Sequence, residues 1–131
     1  MKKITLRIVT PDELIYEGTV NRVRACGEDG YFTILPSHAP MLASLATGEL
    51  QIEGMDQKTF YVVIDAGVLE VADNHVNVLT QAAMVAKESD LAVVRMEFEQ
   101  QNRQERNAKS REQMIKSEME LHRLLHQANN F

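Results

Sequence analysis

"GELQIEGMDQKTFYVVIDAGVLEVADNHVNVLT", Gly48–Thr80, decides the fold class. "GELQIEG" and "KTFYVVID" flank Met55-Asp56-Gln57, and "GVLEVA" and "HVNVLT" flank Asp73-Asn74. Each pair of short apolar runs around a polar turn reads as a β-hairpin. Within the runs Leu50, Ile52, Val62, Ile64, Leu69, Val71, Val76 and Val78 recur at every second position, the period of a strand with one buried face.

The same grammar extends toward the N-terminus. "ITLRIV" puts Ile4, Leu6 and Ile8 on one face and Thr5, Arg7 and Val9 on the other. Thr10-Pro11-Asp12 turns the chain. "TVNRVRACG" follows, and Gly27-Glu28-Asp29-Gly30 makes the next turn. About nine strands fit before Thr80 at the spacing of a sandwich or barrel. Val23 and Ile34 complete the expected core.

From Gln81 onward the grammar changes. All three prolines and all six glycines lie at or before Gly67. Residues 1–85 carry 6 basic and 11 acidic side chains, whereas residues 86–131 carry 8 of each. The chain divides into a turn-rich β part, 1–85, and a helical part, 86–131. Ser89 reads as an N-cap with Asp90 in the first turn. Leu91, Val94 and Phe98 form one apolar stripe. Residues 99–113 then lack a large apolar side chain, and Met114, Leu121, Leu125 and Ala128 form a second stripe. One long helix with a solvated middle and a helical hairpin broken near Asn107–Ser110 both fit. The hairpin is preferred, because Ser110-Arg111-Glu112-Gln113 matches a capping box. A thin apolar face holds a helix weakly, so the tail is expected to be able to detach.

Composition excludes several functions. No run of about 18 apolar residues exists to span a membrane. A net charge of −5 argues against nucleic acid as a partner. The single cysteine, Cys26, rules out an internal disulfide.

Catalytic chemistry finds little footing. His122 and His126 have the i, i+4 spacing of a metal site, but Arg123 stands where a zinc protease carries its glutamate, and no third ligand is evident. His38 lies between Pro36 and Pro40 without a serine elbow, although spacing alone leaves a Cys26–His38 pair open. Gly27-Glu28-Asp29-Gly30 carries two acids where a phosphate loop needs bare backbone or a base. No cofactor and no metal are expected. The two prolines stiffen a loop rich in Tyr31, Phe32, Leu35, Met41, Leu42 and Leu45, which suits a protein interface.

Three stretches carry a resemblance: "IVTPDELIYEG" (Ile8–Gly18), "GEDGYFTILPSHAPMLASLATGEL" (Gly27–Leu50) and "DAGVLEVADNHVNVLTQAA" (Asp65–Ala83). They resemble the epsilon subunit of bacterial F-type ATP synthases across residues 4–85, while the tail is similar only in kind and length. The resemblance implies a ten-stranded β-sandwich followed by a C-terminal two-helix hairpin. It also implies a non-catalytic place in the central rotor stalk, peripheral on the cytoplasmic side of the bacterial membrane and touching the membrane only through the complex. The sandwich would couple ion-driven c-ring rotation to ATP synthesis. The helices would inhibit ATP hydrolysis.

By position, the resemblance implies a gamma-subunit contact through Thr10, His38, Pro40, Met41, Leu42 and Leu45. It implies contact with the polar loops of the c-ring through Glu28, Asp29, Gly30, Tyr31 and Phe32, with Tyr31-Phe32-Thr33 replacing the common Glu-Leu-Gly. Ala66 stands where the family commonly has glycine. Arg103, Arg106, Arg111, Lys116 and Arg123 would meet the alpha and beta subunits when the tail extends. Of the ATP-binding pattern found in some members, Leu91 and Arg95 remain, while Ala92 and Met96 replace its Asp and Ala. An ATP-sensing switch through the tail, and less so a metal-binding enzyme using His122 and His126, are the alternatives.

Overall fold

The computed structural model describes residues 3–103. Nine strands follow in order: β1 Ile4–Val9, β2 Leu14–Gly27, β3 Gly30–Ile34, β4 Met41–Leu45, β5 Gly48–Gly54, β6 Thr59–Ile64, β7 Gly67–Ala72, β8 His75–Thr80 and β9 Ala83–Lys87. A 3₁₀ turn at Glu88–Asp90 leads into a helix, α1, whose described residues are 91–103. The chain divides into two compact units, the first being Met1–Phe98.

The strands form two layers joined by β2. In one layer β4, β7, β8 and β1 are neighbours, with β1 parallel to β8 and the other pairs antiparallel. The other holds β3, β2, β5, β6 and β9, all antiparallel. The first half of β2 pairs with β1 and its second half with β3 and β5, so one strand of 14 residues serves both layers. The resemblance implies ten strands; nine form among the described residues, and one of them, β2, runs unbroken from one layer to the next.

All thirteen core positions expected from alternation are buried, at 0–2% exposure, and they form one cluster with side chains from both layers. The hairpins fall where the turn residues place them. Asp73 and Asn74 both take positive φ (49° and 62°), as a two-residue primed turn requires. At the β5–β6 turn the Gln57 amide donates to the Gly54 carbonyl at 3.0 Å, and the Lys58 amide donates to the Asp56 carboxylate at 3.1 Å.

Ala83–Lys87 is a strand that runs past the boundary drawn at residue 85, although residues from Gln81 onward are good helix formers. It pairs with β6 from Ile64↔Ala83 to Phe60↔Lys87, and an available sheet edge outweighs helix propensity there. Ser89 is not an N-cap. It lies inside the 3₁₀ turn, whose cap is Lys87 in extended conformation with no capping side chain. The first stripe of α1 does form: Leu91 and Val94 are half-buried and Phe98 is 4% exposed.

Candidate docking surface

The outward face of the first layer carries an apolar row. Strand register aligns Leu14 with Val9, Val9 with Leu79, and Leu79 with Val68, so four adjacent strands present aliphatic side chains at one level. Leu79 is 55% exposed, Leu14 48% and Val68 41%. Leu42, 74% exposed, stands on β4 one level along, opposite Glu70. A groove lined by Val9, Thr10, Pro11, Val68 and Leu79 runs beside the row. Scattered exposed leucines are ordinary, but a contiguous row across four strands is a docking surface in the making.

Thr10 closes the β1–β2 turn behind this row. Its hydroxyl accepts from the Glu13 amide and lies within hydrogen-bonding distance of the Glu13 carbonyl, both at 3.2 Å. Being 9% exposed, Thr10 shapes the turn that presents Pro11 and Leu14 more than it offers surface itself.

The loop after β3 is stiffer than its prolines alone make it. The His38 amide donates to the Leu35 carbonyl at 3.2 Å, with Pro36 second and Ser37 third at φ 68°. That is a type II turn. The Ser37 amide donates to the Asn74 side chain, so the loop is pinned to the β7–β8 turn. His38 Nδ1 lies 2.8 Å from the Ala39 carbonyl, an arrangement in which Nδ1 carries the proton. Pro40 is exposed and Met41 half-buried. Leu45, expected at an interface, is 1% exposed and sits in the core. Its outward-facing neighbour on β4, Ser44, is the one left to solvent.

Cys26 does not pair with His38. Its thiol donates to the Ala46 carbonyl at 3.3 Å and the residue is 5% exposed. Burial pushes the thiol pKa up, the charge of Glu49 adds to this, and a backbone hydrogen bond partly offsets it. Tyr16 is likewise raised, first by burial and then by Asp56. A group whose pKa is raised on folding stabilises the fold fully below its unfolded value and loses that contribution as pH climbs past it. Stability in urea is therefore expected to be flat near pH 7 and to fall above about pH 8.5, where an unfolded thiol ionises. Alkylation of native Cys26 is expected to run at least about tenfold slower than in the urea-unfolded chain. A midpoint that stays level up to pH 10.5 would remove this reading.

At the β2–β3 turn, Glu28 and Asp29 are exposed between Gly27 and Gly30, and Gly30 has φ 129°. The Glu28 amide donates to the Ser44 carbonyl at 3.2 Å, which ties the turn to β4. Tyr31 and Phe32 part company. Tyr31 is 58% exposed with the Arg24 guanidinium 4.6 Å from its ring centroid, whereas Phe32 packs against the core. Alternation along β3 makes this split unavoidable. A groove of about 530 Å³ joins Gly27–Phe32 to Met41–Ser44, so residues expected to meet two different partners share one surface.

Arg95, on α1, makes a bidentate contact with Glu49 of β5: Nε and Nη2 donate to the two carboxylate oxygens at 2.8 and 2.6 Å. Leu91 is half-buried, and Ala92 supplies no carboxylate. Arg103 is exposed; Arg106, Arg111, Lys116, Arg123, His122 and His126 lie outside the described residues. Among the described residues no helix is long and apolar enough to cross a membrane.

Sequence reasoning placed Val9 opposite the core face but missed Leu14, Val68 and Leu79 as the surface residues beside it. A signal was present: Ile8-Val9, Val68-Leu69 and Val78-Leu79 each break the alternation with a second apolar residue. Glu49 gave no signal, since its partner is 46 positions away.

Residues 3–86 match the family of the ATP synthase delta/epsilon chain β-sandwich domain. The chain belongs to the ATP synthase epsilon-chain family. An epsilon chain from Nitratidesulfovibrio vulgaris (strain DP4) is 42% identical over 90 residues, 69% of this chain and 66% of that relative, just under two thirds of its length. One from Pelotomaculum thermopropionicum is 41% identical over 104 residues, 79% of this chain and 75% of the relative. A chain of the Euglena gracilis mitochondrial ATP synthase OSCP/F1/c-ring structure is similar at TM-score 0.62 and 25% identity, covering 74% of this chain and 64% of that one. A chain of the Tetrahymena thermophila central stalk/c-ring structure shares the fold at TM-score 0.52 and 18% identity, covering 64% and 69%. As an epsilon-family member, the chain carries the β-sandwich that this family model describes.

Proposed function

We propose that this chain is a non-catalytic rotor subunit of an F-type ATP synthase, held in the central stalk on the cytoplasmic side of a bacterial membrane. The observation that carries the reading is the row Leu14, Val9, Leu79 and Val68, an apolar face on a member of the epsilon family. That face, with Leu42 and the pinned His38 loop, takes the gamma subunit. The turn Glu28–Phe32 meets the polar loops of the c-ring, where Tyr31 and Arg24 replace a carboxylate contact with an aromatic and cationic one. Through these two contacts the sandwich couples ion-driven rotation to ATP synthesis.

The C-terminal part that follows β9 is the regulatory element of this proposal: a two-helix hairpin, as the sequence pattern reads, that inhibits ATP hydrolysis by reaching the alpha and beta subunits, with its arginines and lysines as contacts. The ATP-sensing alternative has less support, because Ala92 lacks the carboxylate and Arg95 is engaged by Glu49.

Co-purification of the full chain with the gamma subunit tests the coupling role, and failure to bind gamma rejects it. A truncation after Phe98 tests inhibition. A cut after Gln81 would delete β9, whereas a cut after Phe98 preserves the first compact unit. Hydrolysis by the assembled complex is expected to rise several-fold on truncation; an unchanged rate would leave coupling as the only role.

A further inference from the structure

Residues 91–98, the part of α1 inside the first compact unit, reach the outward side of the second layer through Arg95. Leu50 and Ile52 of β5 point into the core, so Glu49 between them and the turn points outward, and Arg95 reaches it there. Two buried residues fit this arrangement. Val63 of β6 is 3% exposed although it alternates with the core residues Val62 and Ile64, and Phe98 is 4% exposed. Neither belongs to the main core cluster. Val63 is the register partner of Glu49, so it shares the outward face that Arg95 reaches, and two buried side chains outside the main core are a thin apolar hold for a helix.

We propose that Glu49 and Arg95 form an ionic latch that holds residues 91–98 on the body and sets how readily this first helical segment lifts. Two features favour a latch over an incidental surface pair. The contact is bidentate, which fixes the guanidinium plane against the carboxylate. It also joins a strand of the rigid sheet to a helix, across 46 residues of chain, so opening it releases an element and not just a side chain. Both partners keep access to water, at 48% and 23% side-chain exposure, so salt reaches the pair. The latch therefore opens with ionic strength, since the screening length falls to about 3 Å at 1 M salt. An acidic partner surface brought near Arg95 acts the same way, by competing for the guanidinium.

The latch rests on the proposed regulatory role of the C-terminal part for its purpose, but not for its existence. Hydrogen exchange of the full chain tests it. In Glu49→Gln and in Arg95→Gln, amides of residues 92–98 are expected to exchange about three- to fivefold faster, the size of a well-formed exposed ion pair. Core amides of β1, β5 and β8 should keep their protection. The wild type in 1 M NaCl should approach the variants, which should themselves respond little to salt. The exchanged pair, Glu49→Arg with Arg95→Glu, should restore slow exchange. Unchanged exchange in Arg95→Gln, a substitution on a solvent-exposed helix side that leaves the sheet intact, overturns the latch. Faster exchange in both single variants without rescue by the exchanged pair overturns it too. Hydrolysis by the assembled complex separates the two claims. A loosened helix with unaltered hydrolysis keeps the latch and rejects its part in inhibition.

Discussion

Gly67→Ala is expected to destabilise the chain by about 3–5 kcal/mol, enough to lower the melting midpoint by roughly 15–30 °C. Gly67 has φ 151°, a conformation that L side chains rarely adopt. A Cβ there would lie 2.1 Å from the Leu79 carbonyl oxygen and 3.1 Å from two further backbone atoms of β8. No rotamer change relieves a clash with backbone. The position is also a junction: Gly67 pairs with Leu45 of β4 and with Thr80 of β8, so displacement disturbs three strands. Typical domains have only about 5–15 kcal/mol to lose. The neighbouring Ala66 provides the opposite case. It sits at φ 54° and is exposed, so Ala66→Gly removes backbone strain and is expected to stabilise by up to about 1 kcal/mol. Urea titrations of both variants check the pair of results. A Gly67→Ala loss below about 1 kcal/mol would show that β7 and β8 can separate at this level without cost.

Period-two alternation identified all thirteen core residues expected of it, because burial on one face of a strand is a local pattern. Turns at Met55–Gln57 and Asp73-Asn74 were legible for the same reason, as residues that tolerate positive φ or bond to their own backbone. β9 was not legible. Ala-Met-Val-Ala-Lys is made mostly of residues with good helix propensity, and its pairing with the edge of β6 makes it a strand. Nor was it legible that β2 serves both layers, since a strand's partners are set by chain segments far away.

The candidate surface was legible in part. The stiffness of the His38 loop follows from its prolines, but its anchor to Asn74 joins residues 37 positions apart and has no local sign. Leu45 reads as surface in an apolar run, yet alternation with Ser44 turns it inward. The aliphatic row is a product of register. Leu14, Val9, Leu79 and Val68 come from four strands, and a slip of one residue in any pair would scatter them.

That dependence on register makes Leu79→Asp the sharpest test of the proposed gamma contact. Leu79 is 55% exposed in the free chain, so the substitution is expected to cost only about 1 kcal/mol of folding stability, the span of strand propensities, and to leave the chain folded. On docking, the same side chain is covered at the centre of the row. A carboxylate there is stripped of water with no cation in the row to receive it, a cost of several kcal/mol. Binding to the isolated gamma subunit is therefore expected to weaken by at least about a hundredfold, the scale of a central interface position. Val68→Asp should act alike, because Val68 pairs with Leu79 across the same level. Val85→Asp is the matched control. Val85 is also exposed, at 47%, but it lies on β9 in the other layer. Its replacement adds the same charge to the chain and should leave gamma binding within about twofold of the wild type, so a general electrostatic effect would appear equally in all three variants. Equal weakening in Val85→Asp, or full binding by Leu79→Asp, would move the gamma contact off this face of the sandwich.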